Sequence, residues 1–333
     1  MTNITPLQGI KIANRGIYNI VTNRPVIISF EVTLSCNCNC YHCDLGGLIE
    51  DEKQIQPVDY GRLTRSFNPA VVQISGGEPL LRKDIVALAG AIKQSNGLPY
   101  TILVTNGALL NESNYLQLHE AGVDQFSISL DFPDERHDEF RQRPGLYKRL
   151  ERILPQLAGH GYRDIILNVA ITAANLKEIL PLAEKAREWN VSISYSAYTA
   201  LRTGNRDYCV NKEEDLEILQ QSFRELIELK KRSTHITNPE SVLWDTLKFF
   251  KQGYMPNCKA GQRFLVVMPD GSFVPCSLHR EKYSTRKEMM ENFSRNNQCD
   301  ACYVAIRSYS EPSLLGQLKT IPNYGKQIFA RDM

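Results

Sequence analysis

The chain carries no excess of either charge: 39 Lys and Arg stand against 37 Asp and Glu, a net of +2 over 333 residues. Such a balance gives no field worth invoking for nucleic acid. The densest basic run, Lys230-Lys231-Arg232, ends a predicted helix, where it complements the helix dipole. Long hydrophobic runs are missing too. No segment reaches the roughly 20 apolar residues that span a bilayer, and Lys11 and Arg15 interrupt the first residues, so there is no uncharged signal-peptide core. The start is nonetheless amphipathic: Ile10, Ile12, Ile17, Tyr18, Ile20 and Val21, with Lys11, Arg15 and Arg24, suit either packing against the body of the protein or docking on a membrane surface. Short-period repeats and low-complexity tracts are absent. So are cysteines scattered at disulfide spacings: seven of the nine sit in two constellations, which implies a reducing cytoplasm.

What is present is an ordinary globular composition, 42% apolar, enough for one large or two moderate domains. Apolar runs alternate with helical patterns from residue 26 to residue 196, which predicts strand-helix units and a parallel sheet. Six strands are read: Val26 to Val32, Ala70 to Ser75, Tyr100 to Thr105, Gln125 to Leu130, Asp164 to Ile171 and Val191 to Tyr195. Their near-continuous apolar character predicts burial on both faces. Ile85, Leu88, Ala89 and Ile92 share one helix face, with Asn96-Gly97 as the expected cap. Gly122 follows a helix begun near Ser113, and Pro155 and Pro181 should kink or delay theirs. Six units make an α/β fold, a partial (β/α)6 barrel of the TIM type.

Beyond residue 200 the pattern changes. Asn211 and Glu214 have capping-box spacing before the stripe Leu216, Leu219, Phe223, Leu226 and Ile227, and a second helix is expected from Pro239 to Phe250. Pro269-Asp270-Gly271-Ser272 between Phe264-to-Met268 and Phe273-Val274 signals a hairpin. The expected division is an extension over 1–24, the barrel over 25–200, a helical connection over 201–252 and a small subdomain with a tail over 253–333.

Cys36, Cys40 and Cys43 form Cys-x3-Cys-x2-Cys just after the first strand. Three soft thiolates so close suit an iron-sulfur cluster with one iron left open, since a closed structural site would recruit a fourth ligand. Cys38 lies inside the motif but off its spacing. Ser75-Gly76-Gly77-Glu78-Pro79 follows the second strand; glycines allow close backbone approach to a ligand, and Glu78 can accept from an ammonium. Thr105-Asn106-Gly107 and Ser129-Leu130-Asp131 end the third and fourth strands, at the carboxyl edge where barrels and open α/β sheets bind ligands. The second constellation is Cys258-x12-Gly271-x4-Cys276 followed by Cys299-x2-Cys302. Its four thiolates suit zinc or a second four-iron cluster.

Taken together these segments resemble the radical S-adenosylmethionine enzymes, over most of the chain. The resemblance implies a catalytic 4Fe-4S cluster on Cys36, Cys40 and Cys43 that binds S-adenosylmethionine and cleaves it reductively to a 5′-deoxyadenosyl radical. It implies cofactor contacts from Gly76, Gly77, Glu78, Asn106, Ser129 and Asn168. His42 stands where the family usually has an aromatic residue beside the adenine, and Arg141 or Arg143 is a candidate partner for the methionyl carboxylate, against the alternative of a solvated helix face. The carboxy-terminal cysteines resemble the SPASM and Twitch modules. No cysteine follows Cys302, so one auxiliary 4Fe-4S cluster on Cys258, Cys276, Cys299 and Cys302 is implied, with a flavodoxin or ferredoxin as electron donor.

Several reactions share this apparatus. Dehydrogenation of a sugar, cyclitol or alcohol suits one closed auxiliary cluster, because a Twitch relative that dehydrogenates 2-deoxy-scyllo-inosamine uses such a cluster as electron acceptor. Peptide modification is the main rival, although the residues before the first strand look too few for a leader-binding domain. Epimerisation would call on Cys209 or Cys38 as hydrogen donor, and a lipid substrate would give the amphipathic start a role. From another class, the chain would be a scaffold with zinc in both cysteine sets.

Overall fold

The computed structural model describes residues 4–310, so the tail expected after the second cysteine set lies outside the described residues beyond position 310. All six apolar segments fold as strands: β1 Ile27–Thr33, β2 Val71–Gly76, β3 Tyr100–Thr105, β4 Gln125–Ser129, β5 Ile165–Ile171 and β6 Ser192–Ala197. Neighbours pair in parallel in chain order from β1 to β6.

The helices are α1 Pro6–Val21, α2 Pro57–Phe67, α3 Ile85–Ile92, α4 Glu112–Glu120, α5 Arg136–Arg141, α6 Leu146–Ala158, α7 Ile179–Glu188, α8 Glu213–Arg232, α9 Glu240–Gln252, α10 Arg286–Asn292 and α11 Ala305–Ser310. Those between strands cover the outer face of the sheet. In α6 the spacing Leu146, Leu150, Leu154, Leu157 places four buried leucines on one stripe, and leucines at i and i+4 stack on one face of a helix. Pro155 lies near the end of this helix, which stops three residues on, and Pro181 sits in the first turn of α7.

The two faces of the sheet differ, which corrects the expectation of strands buried on both. Ile28, Phe30, Val72, Ile74, Leu103, Phe126, Ile128, Leu167 and Ile193 are buried against the helices. Gln73, Ser75, Gln125, Ser129, Asn168, Ser194 and Ser196, on the alternate parity, are only half-buried. Side chains alternate across a strand, so the inner face lines an accessible, hydroxyl-rich lumen. Bulky branched residues fill this space in a closed TIM barrel.

The predicted hairpin is present as β7 Phe264–Val267 and β8 Phe273–Val274, antiparallel, with Gly271 at φ +87 in the turn. It also joins the main sheet, because β7 pairs in parallel with β1 from Ile27↔Phe264 to Phe30↔Val267. The order is β6-β5-β4-β3-β2-β1-β7-β8. Helix α11 contacts both β6 and β7 and so lies across the gap between the two sides of the partial barrel. At the amino ends of the strands α1 forms a floor: Asn19 donates to Pro25 O and Asn68 O, Lys11 to Asn96 O and Gln8 to Asp124.

Two caps differ from expectation. Lys212, not Asn211, precedes α8 and makes no side-chain cap bond; Glu213, Glu214 and Asp215 in the first turn answer the dipole instead. Helix α3 ends at Ile92 because Lys93 leaves it in extended conformation, its ammonium held by Asp124 and by Pro99 O. Asn96-Gly97 forms a separate turn further on, with Gly97 N donating to Gln94 O.

Candidate functional site

At the carboxyl end of β1 the chain turns into the cysteine loop, and two further strand ends hold it in place. Gly77 N donates to Thr33 O at 2.8 Å and Glu78 N to Ser35 O at 2.9 Å. This contact explains the glycines. A Cβ on Gly76 would lie 2.1 Å from Thr33 O and one on Gly77 2.1 Å from Ser35 O, and Gly76 adopts φ +133. The close approach they permit here is to the backbone of the cysteine loop, where the sequence reading placed a ligand.

Glu78 is fully buried. Its carboxylate accepts from Thr105 Oγ1 at 2.6 Å, Asn106 N at 2.8 Å and Leu80 N at 3.0 Å. Burial pushes its pKa up, and these three donors oppose that rise. The sequence reading gave Glu78 to a ligand's ammonium; in the structure its oxygens clip the end of β2 to the end of β3.

Each of the three motif cysteines accepts an N–H: Cys36 Sγ from Asn106 Nδ2 at 3.9 Å, Cys40 Sγ from Arg141 Nη1 at 3.8 Å and Cys43 Sγ from Leu45 N at 3.4 Å. Cys38 is buried between Cys36 and Cys40 and hydrogen-bonds to both. These bonds lower the pKa of Cys36, bring that of Cys40 down to about 6 and push that of Cys38 up. Burial, with the nearby Cys40 and Asp44, raises that of Cys43 against the opposing Leu45 N–H and Arg202. The shift at both Cys36 and Cys40 is towards the thiolate, the form that ligates metal.

Arg141 is buried rather than solvated. Its Nε and Nη2 hold Asp131 at 2.7 and 2.6 Å while Nη1 faces Cys40. Burial opposes the charge of Asp131, but Arg141 together with His42 and His137 outweighs it and the carboxyl is held below its ordinary range. Arg143 is exposed and donates to Asn37 O at 3.2 Å. His42 stacks on Phe140, centroids 4.7 Å apart at 8°, with Tyr198 edge-on at 6.4 Å. One face of the imidazole expected beside adenine is thus occupied. Burial drives its pKa down to about 4, so the ring is neutral, and its Nδ1 is buried without a partner. Ser129 and Asn168 are register partners and half-buried, at the rim of the lumen. Cys209 is half-buried beside Tyr198, in the segment that follows β6.

The second set gathers at the other end of the sheet. Cys258 and Cys276 are buried with Val26, Ile27, Ala70 and Phe264, and Cys299 packs against them. Cys299 hydrogen-bonds to Cys258 and then to His279, whose Nε2 lies 3.4 Å away, and these bonds bring its pKa down to about 4. Burial pushes Cys276 up to about 12 and also raises Cys302, where the Arg307 guanidinium opposes the rise. Arg307 is fully buried and donates to Cys302 O at 2.6 Å, Met255 O at 2.6 Å and Pro256 O at 2.8 Å. Arg280, four residues after Cys276, reaches the inner face of β1 and binds Glu31 Oε2 at 2.6 Å through Nη1; its Nη2 is buried without a partner.

Sequence reasoning missed Glu31, Arg280 and Arg307. An acidic residue at the inward parity of an otherwise apolar strand was a readable signal for Glu31; nothing local marks either arginine. Among the described residues no group of three or more His, Cys, Asp or Glu is arranged around a single ion. A cluster spreads its cysteine ligands over separate irons, and thiols dressed by N–H donors with a buried cation beside each set suit an anionic cluster. The donor sets therefore fit the groups that the sequence implies.

Residues 30–186 match the family model described as the Radical SAM superfamily. The chain is 32% identical over 196 residues to "AdoMet-dependent heme synthase" of Methanosarcina barkeri, a match covering 56% of this chain and 54% of that protein. It is 30% identical over 172 residues to "Probable GTP 3',8-cyclase" of Methanopyrus kandleri, covering 47% and 52%. These matches thus span about half the length of each relative. Among solved structures, Streptococcus suis SuiB bound to precursor peptide SuiA superimposes with a TM-score of 0.63 at 16% identity, over 86% of this chain and 69% of that one. That likeness is one of fold.

Proposed function

From the premise that residues 30–186 are a radical SAM superfamily domain, which binds a 4Fe-4S cluster and S-adenosylmethionine and indicates an enzyme, we propose that the chain abstracts a hydrogen atom from a hydroxyl-bearing polar small molecule and oxidises it. One observation carries the substrate class: the lumen beside the cysteine loop is lined by Ser75, Ser129, Asn168, Ser194 and Ser196, half-buried, with the Glu31–Arg280 pair on the same face. When bound, the cluster with S-adenosylmethionine supplies a radical that takes a hydrogen atom, and a second cluster on Cys258, Cys276, Cys299 and Cys302 supplies an acceptor for the electron that leaves next.

The chain's own residues do the remainder. Cys36, Cys40 and Cys43 ligate the first cluster, with Arg141 offsetting negative charge at Cys40. Gly76 and Gly77 dock their loop on the cysteine loop, and Glu78 fixes both to β3, so that Asn106, Ser129 and Asn168 meet the cofactor in one geometry. Serine hydroxyls and Arg280 Nη2 orient the substrate's oxygens. Loss of a hydrogen atom, an electron and a proton turns a carbinol into a carbonyl, and Glu31 Oε1 is the carboxylate oxygen on the inner face that can hold the proton.

A second reading, peptide modification, draws on the likeness to SuiB, whose structure holds a precursor peptide. Anaerobically prepared protein should contain iron and sulfide and form 5′-deoxyadenosine when reduced, with Cys36→Ala losing 5′-deoxyadenosine formation and the first cluster's share of the iron and sulfide. A colourless protein carrying two zinc ions would end the reading. Deuterium should reach 5′-deoxyadenosine from deuterated polyols and amino sugars; transfer from deuterated peptides alone would move the assignment to the second reading. Cys276→Ala should still cleave S-adenosylmethionine without completing turnover, and full turnover would remove the lower set from the mechanism.

A further inference from the structure

We propose that α1 docks the protein on a bilayer surface containing anionic lipid, with Leu7, Ile10, Tyr18 and Val21 entering the headgroup boundary. At about 100° per residue these four positions, with Asn14, fall within an arc of roughly 80° that runs the length of the helix. They are 64%, 54%, 51% and 72% exposed. The opposite face is fully used. Gly16 and Asn19 are buried, Ile12 and Ile20 pack with Val26, Ile27 and Phe264, and Asn19 anchors to Pro25 O and Asn68 O. The helix is therefore apolar on two sides, and the fold accounts for one.

Charge selects the occupant. No Asp or Glu occurs before Glu31, whereas Lys11, Arg15 and Arg24 are all cationic. Lys11 borders the seam and Arg24 is exposed just beyond its end, where basic side chains add attraction to an anionic leaflet. Tyr18 has the amphipathic ring that interfaces favour. A second copy of the chain fits less well. Two acid-free helices placed seam to seam would repel, and four side chains offer little of the about 800 Å² per partner that a stable dimer buries. Docking through α1 sets the amino ends of the strands against the lipid. The cysteine loop at the opposite end then faces solvent, open to a soluble electron donor.

The proposal is independent of the reaction catalysed and is tested without turnover. Full-length protein is spun with sucrose-loaded vesicles of phosphatidylcholine alone or of phosphatidylcholine and phosphatidylglycerol at 3:1. Binding to the anionic vesicles should be at least tenfold stronger, and 0.5 M salt should weaken it. The double variant Ile10→Ser, Val21→Ser, which alters exposed positions only, should lose at least tenfold in binding while keeping wild-type iron content and circular dichroism. Tyr18→Trp emission should shift to the blue with anionic vesicles only. Failure to sediment with either vesicle, or binding that the double variant retains, overturns the proposal. So does a concentration-dependent dimer that the double variant abolishes, because the seam is then a contact between copies.

Discussion

The residues around Cys40 are bound by one buried charge pair. Asp131 is wholly buried and Arg141 nearly so, and removing one partner of such a pair leaves the other uncompensated. Arg141→Met should therefore cost ~3–5 kcal/mol in a urea titration, whereas Arg143→Ala, on an exposed side chain, should stay within ~0.5 kcal/mol. His137 supplies a pH signature nearby. Its Nδ1 accepts from Asp131 N at 3.2 Å, its Nε2 is buried without a partner, and burial brings its pKa down to about 3. Below its unfolded pKa of about 6.5 the unfolded chain binds a proton that the folded one refuses. Stability should thus fall as pH drops from about 6.5 towards 3, by at most ~1.4 kcal/mol per unit from this group. His137→Gln should flatten the slope by that amount in denaturation curves taken at successive pH values; an unchanged slope would show that the ring is protonated in the fold.

Among the elements, loops at strand ends tolerate change least. Gly77→Ala would drive a Cβ into Ser35 O, a backbone atom with little room to move, and should cost ~1–3 kcal/mol while loosening iron retention. Gly90 in α3 has nothing within 4 Å of a Cβ, so Gly90→Ala should stabilise by ~0.5–1 kcal/mol. Paired melting curves check both signs. The contrast also shows what sequence conveys. Strand positions were readable because apolar and β-branched runs bounded by turn residues report a local preference, and β3 begins and ends where Tyr100 and Thr105 were placed. The thiol triplet was readable because its members are neighbours in the chain. The occupation of Glu78 by Thr105, Leu80 and Asn106 was not, nor were the partners of Arg141. These depend on which strand ends meet, and pairing across tens of residues leaves no local trace.

For the molecule as a whole, Arg307 ties the carboxy-terminal cysteines to the sheet, since its guanidinium holds the carbonyls of Met255, Pro256 and Cys302 while α11 spans from β6 to β7. Arg307→Met should cost about 3 kcal/mol, as buried carbonyls lose charged donors. Amide exchange should accelerate around residues 255–258 and 302–310 and remain slow in β2 to β5; uniform acceleration would mean that the arginine supports the entire sheet. The pairing of β7 with β1 has another consequence, which concerns synthesis. Ribosomes deliver β1 and β2 early, yet the other edge of β1 waits for residues 264–267. Through most of translation the strand that leads into Cys36 has a bare hydrogen-bonding edge, and bare edges recruit other chains. A nascent chain stalled before residue 264 should therefore engage chaperones, and one released after residue 274 should not.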